Sequence, residues 1–256
     1  MKNFHTHTKR CGHAKGRDET YVKNAIKNGF SELGFSDHSP MVFAPDDHTS
    51  SFRIPLCKTE NYVKSINSLK EKYASDIKVY LGYEMEYYPK YFNQTISYLE
   101  EFGYDYLILG QHFTSNEFDE KAVYCAGKTD SEYALQCYIE QVLEGLNTGK
   151  YLYIAHPDVF RFTGPDDIYI KRMEYFVKEL KKLGYPLEFN LLGFWDNRNY
   201  PDKRFWEIVA KEGNNTVIGF DAHSPSVLSD MKLYKRALKY LDELGITPIN
   251  DDIKIK

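Results

Sequence analysis

Short apolar segments alternate with longer amphipathic segments along most of the chain. The apolar segments are rich in β-branched and aromatic residues, which predicts buried strands. Most follow a glycine that ends an amphipathic stretch, as expected where a helix stops at a left-handed residue. The seven predicted strands are KNFHTH (2–7), SELGFSDH (31–38), IKVYLGYEME (77–86), YDYLILGQH (104–112), KYLYIAH (150–156), YPLEFN (185–190) and NNTVIGFDAH (214–223).

The segments between the predicted strands carry apolar residues at helical spacing. In DETYVKNAIKNG, Val22, Ala25 and Ile26 share one helical face, and Asp18 is placed to cap the helix. Strands that alternate with helices indicate βαβ units and a parallel sheet. No Pro/Gly/Ser-rich linker interrupts the alternation, so the pattern predicts one domain over residues 1–256.

Polar residues at the strand ends favour a closed barrel over an open sheet. Nearly every predicted strand ends in a histidine or a carboxylate. In a (β/α) barrel the carboxyl ends of all strands meet on one face, whereas an open doubly wound sheet gathers only those near its crossover point. The expected fold is therefore an α/β barrel with its functional site at the C-terminal ends of the strands.

Charge and composition exclude several classes of function. The 33 basic and 37 acidic residues give a formal net charge of −4, without the basic stripe that binds nucleic acid or an anionic membrane. No segment has the length and apolarity of a membrane helix, and MKNFHTHT lacks the apolar region of a secretory signal. We therefore expect a cytoplasmic protein. The four cysteines have no CxxC spacing, which argues against a disulfide scaffold or a zinc knuckle.

Histidines and carboxylates are concentrated at the predicted strand ends. Residues at i and i+2 of a strand point to the same side, so His5 and His7 can reach one ion together. His48 is the one histidine of eight that no strand end accounts for. The nine candidate ligands are His5, His7, His13, His38, Glu84, His112, His156, Asp221 and His223.

Each candidate alone is more typical of an ordinary polar residue, a helix cap or a surface ion pair. Their joint concentration on one face instead predicts a metal site. Neutral imidazole and carboxylate suit zinc, manganese or iron. Nine ligands exceed what one ion takes, so we expect a cluster of two or three divalent ions. Such a cationic cluster favours an anionic substrate, and multi-metal sites of this kind hydrolyse phosphate esters.

The ordered motifs HTHTKRCGH, FSDHSP, GYEMEY, GQH, AHPD and FDAH resemble the polymerase-and-histidinol-phosphatase (PHP) superfamily, specifically its histidinol-phosphate phosphatases. The resemblance runs from residue 5 to residue 223. It implies a distorted seven-stranded (β/α)7 barrel and a trinuclear metal centre, at which Glu84 bridges two ions; Glu86 is the alternative carboxylate. In the implied ligand sets, His5, His7, Glu84 and Asp221 hold the first ion, Glu84, His112 and His156 the second, and His13, His38 and His223 the third.

Two arginines are placed to reach over the predicted metal face. Arg161 follows His156 by five residues, and Arg198 lies in the loop after the sixth predicted strand. The resemblance implies that both contact phosphate, which a guanidinium binds through two parallel hydrogen bonds. The alternative for each is a surface salt bridge, with Asp196 available near Arg198.

The predicted reaction is hydrolysis of L-histidinol phosphate to L-histidinol and phosphate in histidine biosynthesis. A hydroxide shared by two ions would attack phosphorus, with Glu84 and Asp221 holding those ions and the arginines stabilising the phosphoryl charge. Two alternatives remain open: a relative acting on nucleotides or nucleic-acid ends, and a non-catalytic metal-binding protein. The sequence leaves open the native metal, the oligomeric state, the residues that recognise imidazole and amine, any general acid, and the roles of Cys11 and Asn190.

Overall fold

The computed structural model describes residues 1–43 and 50–255, in which helices and strands alternate along the chain. The strands are β1 (Lys2–Asn3), β2 (Glu32–His38), β3 (Lys78–Met85), β4 (Tyr106–Leu109), β5 (Leu187–Asn190) and β6 (Thr216–Gly219). The α-helices are α1 (Asp18–Lys27), α2 (Thr59–Lys72), α3 (Pro89–Phe102), α4 (Glu132–Asn147), α5 (Asp166–Leu183), α6 (Leu191–Asp196), α7 (Lys203–Glu212) and α8 (Met231–Glu243). This order confirms the predicted α/β class. His48 lies outside the described residues.

The strands form a curled, parallel sheet in two segments. Strands β1, β2, β3 and β4 pair in that order, and β5 pairs with β6. Isolated parallel bridges connect the segments: Ile154 pairs with Leu109 on one side and with Leu187 on the other, and Thr6 pairs with Ala222. Because neighbouring strands run in the same direction, their carboxyl ends lie at one edge of the sheet.

The fifth predicted strand, residues 150–156, was wrong as a continuous strand. Among the described residues its bridges are the two at Ile154, and Leu152 N donates one further hydrogen bond to Leu107 O at 2.8 Å. The Ile154 amide donates to Pro186 O at 3.2 Å. Pro186 has no N–H, so it cannot continue the hydrogen-bond ladder with this segment. Beyond Ile154, the backbone turns into the left-handed region at His156, where φ is 32°. The pairing is therefore limited on both sides of one residue.

Tyr106 fills the space inside the curl of the sheet. Its ring packs against Phe4, and its hydroxyl donates to Phe4 O at 2.8 Å. Gly34 and Gly82 face this ring so closely that a Cβ at either position would overlap it. These two glycines therefore allow the aromatic ring to occupy the interior. A larger apolar core lies between the sheet and the surrounding helices.

The helices begin and end largely where the sequence indicates. Helix α5 stops at Gly184, whose φ of 77° is left-handed, and Ser131 caps α4 by accepting a hydrogen bond from Ala134 N. The predicted cap at Asp18 was wrong. Asp18 lies inside the first turn of α1, where its carboxylate accepts hydrogen bonds from Arg10 and Ser65. None of the described helices combines the length and apolarity that crossing a membrane requires.

Candidate metal centre

All nine predicted ligand side chains meet at one end of the curled sheet. Seven of them line a cavity of about 670 Å³, and His5 and His7 contact two of these seven, Glu84 and Asp221, from within the protein. The bridge between Thr6 and Ala222 brings the segment of His5 and His7 beside the segment of Asp221 and His223. Strand register thus gathers residues from both ends of the described chain around one cavity.

His5, His7, Glu84 and Asp221 form a compact first group. His7 Nε2 lies 3.0 Å from Asp221 Oδ1 and 3.5 Å from Glu84 Oε2. His5 Nε2 lies 3.4 Å and 3.5 Å from the same two oxygens. A tetrahedral ion with bonds of about 2.0–2.1 Å places its ligand atoms roughly 3.3 Å apart. The four side chains therefore have the spacing of ligands around one ion.

The two carboxylate oxygens of Glu84 face different histidines. Oε2 lies near His5 and His7 and 3.0 Å from His38 Nδ1. Oε1 lies 2.8 Å from His156 Nε2 and 3.7 Å from His112 Nε2. A carboxylate whose two oxygens point to separate groups of imidazoles has the geometry needed to bridge two cations.

His13, His38 and His223 form a third group at the open side of the cavity. The His13 ring centroid lies 5.2 Å from that of His38 and 4.8 Å from that of His223. One nitrogen from each of the three rings falls within 4.8 Å of the others. His13 and His223 are also the more exposed members of the nine, so this group lies nearest to solvent.

The unsatisfied atoms of the site fit bound cations. Nδ1 of His156 and Oδ1 of Asp221 are buried and make no hydrogen bond within the described part of the chain. The Nε2 atoms of His5 and His7 face each other at 3.1 Å. Because the Nδ1 atom of each ring faces a carboxylate, both Nε2 atoms present lone pairs when the rings are neutral. Two lone pairs at this distance repel each other, and a cation coordinated between them would remove that repulsion.

Three carboxylates outside the predicted set contact the Nδ1 atoms of predicted ligand histidines. Glu188 Oε1 accepts from His5 Nδ1 at 2.9 Å, Asp37 Oδ1 lies 3.3 Å from His7 Nδ1, and Glu86 Oε1 accepts from His112 Nδ1 at 2.8 Å. All three carboxylates are buried. Such carboxylates fix the tautomer of a ligating imidazole and make its free nitrogen more basic. The sequence reasoning missed this role.

A signal for these carboxylates does exist in the sequence. Glu188 interrupts the apolar segment YPLEFN, and Asp37 and Glu86 stand within two residues of predicted ligands. A charged residue inside a strand that is otherwise buried needs a partner, which here is a histidine on another strand. The signal indicates a buried partner but does not identify it.

The two predicted arginines occupy different positions. Arg198 lines the cavity, with its Nε donating to Asp196 at 3.0 Å and its Nη1 donating to the Tyr200 hydroxyl at 3.1 Å. Arg161 is exposed and is not among the described residues that line the cavity. Phosphate contact by either arginine stays a prediction, and it has more direct geometric support at Arg198.

Comparison with known proteins gives the same family as the motifs. Residues 3–191 match the PHP domain, which is well over half of the chain. The chain belongs to the PHP domain family. The match spans the segments of His5, His7, His13, His38, Glu84, His112 and His156.

Relatives of this PHP protein include phosphatases. A probable histidinol-phosphatase of Deinococcus radiodurans is 27% identical, over 86% of this chain and 85% of that protein. One from Schizosaccharomyces pombe is 25% identical, over 96% and 87%. The solved structure of a histidinol phosphate phosphatase from Lactococcus lactis, complexed with zinc, L-histidinol and phosphate, has a TM-score of 0.66 at 20% identity. It covers 92% of this chain and 93% of that chain, which shows a shared fold.

Buried opposite charges dominate the electrostatics of the candidate metal centre. Burial disfavours a charged ring at His5, but Glu188, Asp221 and Glu84 outweigh it and raise the pKa of His5 to about 10. Burial also opposes ionisation of Glu84, yet the surrounding imidazoles, led by His38 and His5, hold its pKa well below the usual range. The carboxylates therefore remain ionised and create a potential that attracts cations.

One part of the cavity wall is aromatic, and its Phe52 ring packs edge-on against the rings of His38 and His112. Phe52, Phe113 and Tyr124 line it, with ring centroids 6.0 Å apart for Phe52 and Phe113 and 5.4 Å apart for Phe113 and Tyr124. Leu192 and Tyr200 add to the lining. The cavity therefore combines a polar end formed by the candidate metal ligands with a wall that suits a flat organic group.

Asn190 and Cys11 both lie beside predicted ligands: Asn190 contacts Asp221, and the Cys11 sulfur lies near ring nitrogens of His7 and His223. Asn190 Nδ2 donates to Glu188 at 2.9 Å and to Asp221 at 3.1 Å, and its Oδ1 caps α6. Cys11 is buried with its thiol donating to Thr8 O at 3.1 Å. Asn190 thus has the contacts of a residue that orients Asp221.

Proposed function

We propose that this PHP protein is a metal-dependent phosphomonoesterase that hydrolyses L-histidinol phosphate to L-histidinol and phosphate. The observation that carries the proposal is Glu84, a buried carboxylate whose two oxygens face two groups of histidines at the base of a cavity. The names of the Deinococcus and Schizosaccharomyces relatives, and the bound molecules named for the Lactococcus structure, point to the same substrate.

The proposed centre takes three divalent ions, with zinc as the first metal to test. His5, His7, Glu84 and Asp221 would hold the first ion. Glu84 would share its second oxygen with an ion held by His112 and His156. His13, His38 and His223 would hold the third. Bound divalent ions activate water as a nucleophile and stabilise charge on phosphoryl oxygens.

The residues of the chain would position the substrate around this centre. Arg198 would donate to a phosphoryl oxygen from its place in the cavity wall, and Arg161 would reach the same group from the neighbouring loop. Both would offset the negative charge that builds up on phosphate in the transition state. Phe52, Phe113 and Tyr124 would pack against the imidazole ring of the leaving group.

The same proposal includes the finer architecture. One domain over residues 1–256 would form a distorted seven-stranded (β/α) barrel, with residues 150–156 in the place of the fifth strand. The bridges at Ile154 and at Thr6 support this closure, because they connect the two sheet segments on both sides.

Steady-state kinetics on protein of measured metal content test the proposed function. The substrates are L-histidinol phosphate, a nucleoside monophosphate, a short 5′-phosphorylated oligonucleotide and glycerol phosphate. We expect the highest kcat/KM with L-histidinol phosphate, and loss of activity in Glu84→Gln. Preference for the nucleotide or the oligonucleotide would replace the proposed substrate. No hydrolysis of any ester by fully metallated protein would favour a non-catalytic metal-binding protein.

A further inference from the structure

Arg53 lies fully inside the protein between two carboxylates. Its Nη1 donates to Glu86 Oε2 at 2.7 Å and to Ser39 O at 3.3 Å, and its Nη2 donates to Glu117. The Arg53 side chain is only 3% exposed. Its guanidinium also lies over the ring of Phe52, 4.5 Å from the centroid. A charge this deeply buried requires specific partners, and Arg53 has them on two loops and one strand end.

Glu86 connects Arg53 to the candidate metal centre. One oxygen of Glu86 accepts from Arg53, and the other accepts from His112 Nδ1 at 2.8 Å. Since a carboxylate accepts hydrogen bonds, the proton of the neutral His112 ring lies on Nδ1. His112 Nε2 then presents its lone pair toward Glu84.

We propose that Arg53 is a positioning residue for metal binding, which holds Glu86 so that Glu86 orients His112 toward the second ion. This inference rests on the proposed function, because it takes His112 as a ligand. Arg53 does not touch the ion or the substrate. It acts by fixing the orientation of the Glu86 carboxylate through one oxygen. The other oxygen then accepts from His112 Nδ1 in a defined direction.

The planar guanidinium is suited to this role. Arg53 binds Glu86 and Glu117 through separate nitrogens of one rigid group. A lysine ammonium is a single point of charge and cannot reproduce that fork. Phe52, the preceding residue in the chain, lines the cavity, so the same arginine also anchors one part of the aromatic wall.

Stepwise zinc affinity, measured on metal-free protein by competition with a chromophoric chelator, tests the proposal without using activity. His112→Ala first identifies the binding step to which His112 contributes. We expect Arg53→Lys to weaken that step by about tenfold and to leave the affinities of the other steps within about threefold of wild type. Substitution of a residue that supports a metal ligand through hydrogen bonds typically lowers metal affinity by about 10–100-fold. Wild-type affinity in a folded Arg53→Lys variant overturns the proposal.

A double-mutant cycle shows whether Arg53 acts through Glu86. In the Glu86→Gln background, Arg53→Lys is expected to cause little further loss of zinc affinity, because the connection is already broken. Additive losses overturn the proposed route. Glu117→Gln is the matched control: it removes the other carboxylate from Arg53 but keeps the Glu86–His112 hydrogen bond, so zinc affinity is expected to remain within about threefold of wild type.

Two further results separate the possible failures. If His112→Ala binds zinc as tightly as wild type at every step, the proposed metal centre is wrong and the inference falls with it. If only the Arg53 variants match wild type, the inference alone is wrong. Should Arg53→Lys not fold, Arg53→Gln combined with Glu117→Gln removes one charge of each sign and leaves Glu86 without its arginine; unchanged zinc affinity in that variant overturns the proposal.

Discussion

Nδ1 of His5 lies 2.9 Å from Oε1 of Glu188, and both side chains are completely buried. Glu188 also accepts from the His156 backbone amide at 3.2 Å and from Asn190 at 2.9 Å. One carboxylate therefore contacts two predicted ligand residues and the asparagine that holds Asp221. When His5 binds a metal ion, Glu188 can fix the orientation of the His5 ring and make its Nε2 atom more basic.

We predict that Glu188→Gln weakens zinc binding by about 10- to 100-fold while the protein still folds. The amide can still accept a hydrogen bond from His5, but it no longer makes the imidazole more basic. Chelator competition and circular dichroism measure the two properties. Zinc affinity equal to that of wild type would show that Glu188 serves the fold and not the centre.

The metal content of wild-type protein is predicted to reach three divalent ions per chain. Elemental analysis after reconstitution with zinc and removal of loose metal measures it. Glu84→Gln is expected to bind at least one ion fewer and to lose most activity, because a neutral amide does not bridge two cations or offset their repulsion. A plateau at one ion in the wild type contradicts the trinuclear centre.

Arg198→Ala is predicted to lower kcat/KM for L-histidinol phosphate without changing metal content. A hydrogen bond to a charged group contributes about 1.5–3 kcal/mol, which corresponds to roughly 10- to 150-fold in rate. Arg198→Lys is expected to recover part of the loss, since it keeps the charge without the planar fork.

The observed ion pair between Arg198 and Asp196 supplies the control for this prediction. Asp196→Asn breaks the pair and leaves the guanidinium in the cavity. An exposed pair contributes at most about 1 kcal/mol to the free energy of unfolding, so little change in stability or kinetics is expected. If both arginine variants keep kcat/KM within twofold of wild type, Arg198 does not contact the phosphate.

The aromatic wall is predicted to select the leaving group. Contact between aromatic rings is worth about 0.5–1.5 kcal/mol, so Tyr124→Leu and Phe113→Leu should each lower kcat/KM for L-histidinol phosphate by roughly two- to tenfold. Hydrolysis of glycerol phosphate should change little. Tyr133→Leu is the control, because Tyr133 is 80% exposed and lies outside the cavity lining. Equal losses on both substrates would contradict selection by ring contact.

Gly82→Ala is predicted to lower the free energy of unfolding by about 1–3 kcal/mol, because the new methyl group overlaps the ring of Tyr106. Urea titration measures the change. In a Tyr106→Leu background the same substitution should cost less, since the smaller side chain makes room for the methyl group. An equal cost in both backgrounds would indicate that backbone conformation, not the ring, requires glycine at this position.

That the nine predicted side chains lie close together could be predicted from sequence, because most of them stand beside a strand pattern that can be recognised locally. His5 and His7 share a face through their spacing of two, and Glu84 ends a long apolar run. The contacts behind them were not accessible in the same way. Glu188 meets His5 across 183 positions, and Arg53 meets Glu86 across 33. Pairings of this kind depend on the tertiary arrangement of segments that have no local signal in common.

Two sequence predictions were wrong because tertiary contacts outweighed local propensity. The run 150–156 has the composition of a strand, but its neighbour Pro186 cannot donate to the ladder. Asp18 has the residue type of a helix cap, but Arg10 and Ser65 supply stronger partners for its carboxylate. In both places a contact with a residue outside the predicted segment decided the outcome against local propensity.

The pairing of Thr6 with Ala222 has a consequence for the order in which the protein matures. Asn3 and Phe220, beside that pairing, are joined by a hydrogen bond across 217 positions. During synthesis, His5 and His7 leave the ribosome long before Asp221 does. The proposed first ligand group is therefore complete only after nearly all of the described chain has been translated, so ion capture by this group would be a late event in folding and not a nucleus for it.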